Sequence, residues 1–545
     1  MQLRHTVSFF KKAGKLPDHV LREWIYRRDD NEGVVDTDDL DEEHIGYIYN
    51  YAKKFPDDPA AKMIVKRIDS YRTLLADPGG APVGRLDRLA TAMIEYLRPA
   101  PHKFIFIEQQ DGQMCPYYVS DISYKPPHRD DPASVTLKGL ASSLDEEDNH
   151  HKTWYTADLC GRKTVPQILR EAGIHRETAD AYAAYIKEVA RFNGIVDQLG
   201  KQYSGTGEAF NRGGRYNYGM IAMERDGVKA RLVIDRKGDD TEKSEKELRR
   251  AASAQFWSKG SARNVEDSEE EDVLPIPVHP YVQAFDLGLH QYVGIHVNQI
   301  EPYKYDHEIA TKLVLPEKTK QLVNVLMESS AEIMEDIIAG KTGGTVVIAT
   351  GEPGTGKTLT AECYSEQIER PLYSVQCSQL GTDEEELEKK LMLTLSRASR
   401  WGAILLIDEA DVYVRERGND IQQNAIVGVF LRLLERYRGI LFLTSNRATT
   451  IDDAVISRAI AHVRYTLPTP EELKKLWQVL STNYKVKLDA KQLARLVKEL
   501  PTLSGRNVKN ILKLASIMAN KTKKAVDVDD LLYVTKFIDL AKAPD

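Results

Sequence analysis

Along residues 1–98, apolar positions recur at three- and four-residue spacing, as in "PAAKMIVKRIDSYRTLLA" and "GRLDRLATAMIEYL", between acidic stretches such as "DDNEGVVDTDDLDEEH". That period gives a helix one apolar face, so a mainly helical domain is expected here, closed by Pro99 and Pro101. The pattern then shortens. "KFIFIEQ", "CPYYVSDISY", "ASVTLKGL" and "KTWYTADL" are brief β-branched or aromatic runs divided by Gly, Pro and Asp, which predicts a strand-rich mixed domain over 99–305. Within it, "RETADAYAAYIKEVARFNGIVDQLG" reads as a helix with Tyr182, Tyr185, Ile186, Val189 and Val196 on one face. Residues 239–272 are highly charged and poor in apolar positions, as expected of a mobile insertion.

From residue 306 the period changes again. Four apolar runs, "TVVIAT", "LYSVQC", "AILLID" and "GILFLTS", alternate with helical stretches. Strands buried on both faces read as continuous apolar runs, and such alternation predicts a mainly parallel sheet between layers of helices. Residues 306–468 are read as this α/β unit. Residues 469–545 are read as an all-helical unit, from "PEELKKLWQVL", "DAKQLARLVKEL", "GRNVKNILKLASIMA" and "DVDDLLYVTKFIDL". No repeat of solenoid period is present.

Composition narrows the setting. The chain has 545 residues, 42% apolar and 29% charged, with a net charge of −7. Several compact units are expected, and the net acidity disfavours nucleic-acid binding over the whole surface without excluding a local basic face. No run approaches the roughly 18 apolar residues of a membrane helix. Four cysteines, Cys115, Cys160, Cys363 and Cys377, form no CxxC pair, which fits a reducing compartment. "MQLRHTVSFFKKAGKL" lacks the apolar core of a secretory signal; it reads as a basic helix start, with a mitochondrial-type presequence as the alternative. The protein is read as cytoplasmic, with no membrane partner.

The chemistry concentrates in the α/β unit. "GEPGTGKT", Gly351, Glu352, Pro353, Gly354, Thr355, Gly356, Lys357 and Thr358, lies between a strand and a helix and matches G-x-x-x-x-G-K-[ST]. Glycines let backbone N–H groups curl around an anion, and the helix start adds partial positive charge. Lys357 can reach the outer phosphates, and the Thr358 hydroxyl can ligate magnesium. "AILLIDEAD" ends an apolar strand on Asp408 and Glu409. Ligands bind beyond the carboxyl ends of parallel strands, so Asp408 would hold Mg2+ through its water shell and Glu409 would orient or deprotonate the attacking water.

These motifs, with "FLTSNRATTIDDAVISR" downstream, resemble the AAA+ ATPases, specifically the AAA clade. The resemblance covers roughly residues 306–545. It implies a P-loop NTPase sheet with a C-terminal helical lid, preceded here by a mixed α+β region, and the cofactors ATP and Mg2+. By the resemblance Asn446 is sensor 1, followed by Arg447. Arg458 is the arginine finger reaching a neighbouring subunit's nucleotide, Arg506 is sensor 2, and Leu359 joins the nucleotide contacts. A finger supplied in trans implies a homo-oligomeric ring, most simply a hexamer, that remodels or unfolds a macromolecular client, a protein or a nucleic acid, recognised by residues 1–305. An ATP-controlled binding platform with slow hydrolysis is the alternative. Two departures bear on this choice. Where threading members carry an aromatic in the first pore loop, this chain offers Leu380-Gly381. The proline-glycine and second arginine after the finger are missing, leaving Arg464 as a lesser candidate.

Weaker signals lie upstream. "KQYSGTGEAFNRGGRYNYG", with Arg212 and Arg215, reads as a Gly-rich loop, or less readily as a base-stacking surface. His150, His151 and Cys160 fit no metal-ligand spacing and read as surface residues. Cys363 and Cys377 read as small core residues.

Overall fold

The structure is a computed structural model that describes residues 2–3, 35–36, 42–56, 58, 61–62, 64–65, 68, 81–129, 131–144, 146–159, 163–211, 219–235, 276–315, 319–321, 325, 344–381, 383–446, 451–522 and 525–538. The charged insertion at 239–272, Arg212, Arg215, Cys160 and Arg447 fall outside them. Two compact units are present: Met1–Gln198 with Tyr203–Pro302, and Leu199–Gln202 with Tyr303–Asp545. No helix among the described residues is long and apolar enough to cross a membrane.

The first unit holds two large antiparallel sheets and a two-stranded one, Gln2–Leu3 with Val35–Asp36. In one, five strands run in the spatial order Glu146–Tyr155, Ser134–Ser143, Met114–Lys125, Phe104–Glu108 and Ile174–Arg176. Helix Leu86–Leu97 lays Leu86, Leu89, Met93 and Leu97 on one face of this sheet, sharing a core with Val119, Val135, Leu137 and Trp154. Helix Ala179–Val196 covers Phe104, Phe106 and Tyr118 on the opposite face through Tyr185. The sequence put Ile186 on that buried face. It is 45% exposed, because Tyr182, Tyr185 and Val189 already fill the stripe against this sheet and Ile186 sits about 100° round the helix from Tyr185; Phe192 and Ile195, farther along the helix, pack into the core of the second sheet. The second sheet has eight strands, and its core includes Leu232, Val282, Val293 and Ile295. His150 and His151 lie on the outermost strand of the first sheet; His150 is half-buried against Tyr117, and no cluster of three metal-ligating side chains occurs among the described residues.

In the second unit, β1 (Thr345–Gly351), β2 (Leu372–Gln376), β3 (Ile404–Asp408), β4 (Ile440–Ser445) and β5 (Ala461–Tyr465) form one sheet in the order β2-β3-β4-β1-β5. Every pairing is parallel, as the four apolar runs predict. The fifth strand was not anticipated, because Ala461, His462 and Arg464 are not fully buried and interrupt the apolar signal; Val463 and Tyr465 are its buried members, with Ala461 packed against the same core. Helices α1 (Lys357–Gln367), α2 (Glu384–Trp401) and α3 (Ile421–Leu434) flank the sheet in sequence. The C-terminal helices α4 (Pro470–Asn483), α5 (Ala490–Glu499), α6 (Gly505–Thr522) and α7 (Val528–Val534) enclose a separate core of Leu473, Trp477, Leu493, Leu496, Ile511 and Leu531. Their starts are locally encoded. Thr469 with Glu472, and Asp489 with Gln492, each close a reciprocal capping box that satisfies the free N–H groups of the first turn.

Candidate functional site

β1 carries the chain to the carboxyl rim of the sheet, where Gly351 (φ 147°) and Gly354 (φ 81°) adopt backbone angles that suit glycine. At Gly354 space also requires it: a Cβ there would lie 2.6 Å from the Cβ of Arg506, and the Gly505 N–H donates to the Gly354 carbonyl at 3.0 Å. The start of α6 is thereby fastened to the Gly-rich loop, with Arg506 beside it and exposed. Gly356 caps α1, whose first residue is Lys357.

The Lys357 ammonium uses all three of its donors, two inside the loop, to the Gly351 carbonyl at 2.7 Å and the Glu352 carbonyl at 2.8 Å, and one to Asn446 Oδ1 at 2.9 Å. Burial pushes its pKa down, opposed by the nearby charges of Asp408 and Asp411. The next residue, Thr358, donates its hydroxyl to Asp408 Oδ1 at 3.0 Å. Two strands thus meet at one point: Thr358 follows β1 and the loop, and Asp408 ends β3. Asn446 comes from the end of β4 and closes the group over Lys357.

Around Asp408 the rim is built by β4. Thr444 Oγ1 donates to Asp408 Oδ1 and accepts the Glu409 N–H at 3.0 Å, while the Thr444 carbonyl accepts the Ala410 N–H at 2.8 Å. Glu409 sits at φ 55°, unusual for a residue with a side chain; its carboxylate is exposed and accepts no hydrogen bond from the described residues. Asp411 receives the Ser445 hydroxyl at 2.5 Å and the Asn446 N–H at 3.2 Å, fixing the backbone that presents the Asn446 amide. Sequence reasoning assigned no role to Thr444, Ser445 or Asp411. The signal was a Thr-Ser pair ending an aliphatic strand, since a hydroxyl buried there needs partners.

The remaining expected residues are more scattered. Glu352, Pro353 and Leu359 are exposed, and the Thr355 hydroxyl turns back to the Glu352 carbonyl at 2.8 Å. Arg458, just beyond the turn Asp453–Ile456, donates to Glu435 Oε1 from Nε at 3.0 Å and to the Ala454 carbonyl from Nη1 at 2.9 Å; it contacts none of the loop residues among those described. Arg464 is exposed on β5. Leu380 is 1% exposed, and the Tyr413 hydroxyl lies 2.6 Å from the Gly381 carbonyl beside it.

Thr358 and Asp408 supply a hydroxyl and a carboxylate oxygen side by side, the hard donor set that suits Mg2+. The loop offers backbone N–H groups, a helix start and an ammonium, the chemistry of polyphosphate binding. Glu409 brings an unengaged carboxylate to the same rim.

Residues 347–467 match the family model of the ATPase family associated with various cellular activities, AAA. Fidgetin-like protein 1 of Drosophila melanogaster is 30% identical over 183 residues, 31% of this chain and 35% of that protein. ATP-dependent zinc metalloprotease FtsH 2 of Methylacidiphilum infernorum is 27% identical over 212 residues, 35% of this chain and 32% of that protein. A crystal structure of the FIGL-1 AAA domain in complex with ADP aligns at 19% identity and a TM-score of 0.35, over 42% of this chain and 84% of that one. The chain spans about a third of the length of the curated relatives it matches. The parallel sheet, with its Gly-rich loop and carboxylate rim, is a domain of the AAA family of ATPases.

Proposed function

We propose that the chain binds ATP with Mg2+ and hydrolyses it within a homo-oligomeric ring, most simply a hexamer in the cytoplasm. Hydrolysis remodels or unfolds a macromolecular client, a protein rather than a nucleic acid, recognised by residues 1–305. In this reading 306–468 is the ATPase subdomain and 469–545 its helical lid. The convergence of Lys357, Thr358, Asp408 and Asn446 at the ends of β1, β3 and β4 carries the proposal.

The chain's residues divide the work. Backbone N–H groups of 351–356 and the start of α1 hold the phosphates, and Lys357 exchanges its carbonyl partners for outer phosphate oxygens. Thr358 and Asp408 hold Mg2+, which when bound neutralises charge on the phosphate oxygens. Glu409 orients the attacking water and takes its proton, and Asn446 positions that water. Arg506 closes on the phosphates from the lid. Arg458 leaves Glu435 and stabilises transition-state charge at a neighbouring subunit's site, which ties turnover to assembly.

A second reading is favoured by one observation. Leu380, the residue expected to stand in for a gripping aromatic, is buried and so presents nothing to a threaded chain. A nucleotide-controlled platform that binds a partner and hydrolyses slowly needs no such grip.

Glu409→Gln tests the main reading. Calorimetry should give an ATP affinity near wild type while turnover falls about 10²- to 10⁴-fold, the range for loss of a general base. Wild-type turnover in the variant would remove Glu409 from the chemistry. Substrate-stimulated cycling in the wild-type protein favours the motor; slow turnover with long-lived ATP-bound assemblies on size-exclusion chromatography favours the platform.

A further inference from the structure

The buried hydroxyl at the end of β4 has more partners than a strand residue needs. Thr444 is 1% exposed, and its side chain sits where the pairing of β3 with β4 stops: the last paired residues are Ile407 and Leu443, one position short of Asp408 and Thr444. In place of the backbone ladder, the Thr444 hydroxyl donates to Asp408 and accepts the Glu409 N–H, so both capacities of one buried hydroxyl are filled by adjacent residues of the carboxylate pair.

We propose that Thr444 is a positioning residue, which sets the roll of the Asp408 carboxylate and holds Glu409 in its left-handed backbone conformation. The inference rests on the ATP-hydrolysis reading of this site. Both described donors to Asp408, Thr358 and Thr444, bind the same oxygen, Oδ1, and so leave Oδ2 turned away from them. In the proposed function Thr358 turns to Mg2+, and Thr444 is then the donor that keeps the carboxylate from rotating. The positive φ of Glu409 costs energy for a residue with a Cβ. It persists because its own N–H and the next one are both taken by Thr444, through the hydroxyl and the carbonyl. Valine has the same shape without the hydroxyl. It would leave the Glu409 N–H without its acceptor and an aspartate oxygen with one donor fewer.

The test compares Thr444→Val and Thr444→Ser in the full chain, with three readouts. Without ligand, hydrogen exchange at the Glu409 amide should speed up in the valine variant and stay near wild type in the serine variant. In calorimetry the valine variant should bind ATP without Mg2+ as wild type does and lose most of the gain in affinity that Mg2+ brings. In turnover its kcat should fall about 10- to 100-fold, the usual loss when a group supporting a metal ligand is removed, with KM for Mg-ATP rising in step with the lost Mg2+ gain; serine should restore most of both. A valine variant with wild-type exchange, Mg2+ dependence and kcat overturns the proposal, as does a serine variant as defective as valine. If valine does not fold, serine against Thr444→Ala gives the same contrast. Should the wild-type protein bind ATP with Mg2+ yet never turn over, the hydrolysis reading fails, while exchange and Mg2+ dependence still decide the role of Thr444.

Discussion

Two clusters of polar side chains show what separates a reactive site from a structural one. In the first unit, the Tyr281 hydroxyl donates to both oxygens of Asp111 at 2.9 Å with Cys115 beside it, and His279 contacts the Pro116 carbonyl at 3.0 Å, its ring edge-on to Tyr117. Asp111, Cys115, Tyr117, His279 and Tyr281 are all nearly inaccessible. Burial raises the Asp111 carboxyl to about 6, pushes the Cys115 thiol well up and lowers the His279 imidazole. At the sheet rim of the second unit, Asp408 is half-buried and Glu409 exposed, and each keeps an oxygen unused by the described residues. Perturbed titration is often taken as a mark of chemistry, yet burial by itself perturbs the sealed Asp111. Desolvation alone shifts a pKa; reaction needs a valence still open to a ligand.

That contrast predicts that substitutions in either cluster act on different observables. The largest effect belongs to Lys357→Ala: removing the only ammonium in the loop should weaken ATP binding by about 3 to 5 kcal/mol, a hundred-fold or more, as for truncation of one partner of a desolvated charge pair. Unfolding of the first unit should not change. Unaltered affinity in calorimetry would remove the phosphate-loop assignment altogether.

Arg458→Ala should come next. Its cation is presently engaged by Glu435, so the substitution should spare ATP binding and lower kcat about a hundred-fold, the loss typical of one transition-state donor. Mixing it with Lys357→Ala should restore part of the activity, because a subunit with an intact loop can then meet a neighbour with an intact arginine. No rescue at any ratio would make Arg458 a surface ion pair and no more. Tyr281→Phe should be smaller and opposite in kind. It leaves Asp111 buried without its hydroxyl donor and should destabilise the first unit by about 1 to 3 kcal/mol, while ATP affinity stays within about twofold of wild type. A change in nucleotide affinity would show that the two clusters communicate.

The legibility of the two clusters differs for the same physical reason. The phosphate loop was readable because its geometry demands residue types at fixed spacing: glycine where φ is positive or a neighbour's Cβ intrudes, lysine and threonine at the helix start. The parallel sheet was readable because double-sided burial erases polar alternation. Thr444 and Asp411 escaped because their partners are distant in sequence, 36 and 34 residues away, and only strand register brings them together. β5 escaped because a strand buried on part of one face carries a weak apolar signal. Nothing in the sequence around Asp111, Cys115 or Tyr281 revealed their cluster, since it is assembled from residues about 170 positions apart with no motif to mark it.

The pH dependence of the first unit gives the subtlest test of the sealed cluster. Asp111 has an ordinary value of 3.8 and stands near 6 when folded, so between those limits the folded unit holds a proton that the unfolded chain releases, and stability falls as pH rises. His175, buried and close to the charge of Arg170, is lowered from 6.5 to about 4. Between those limits the unfolded chain holds the proton, and stability rises with pH. His279 acts in the same direction as His175. The opposed contributions overlap between about pH 4 and 6 and partly cancel. Asp111→Asn removes the falling component alone. Its stability, read from hydrogen exchange of the strand Met114–Lys125, should therefore climb more steeply with pH than wild type, by up to about 1.4 kcal/mol per pH unit, the weight of one proton. A constant offset from losing the carboxylate does not disturb this slope. Parallel profiles for the two proteins would mean that Asp111 titrates alike in folded and unfolded chains, and the seal on this cluster would then be leakier to water than its burial implies.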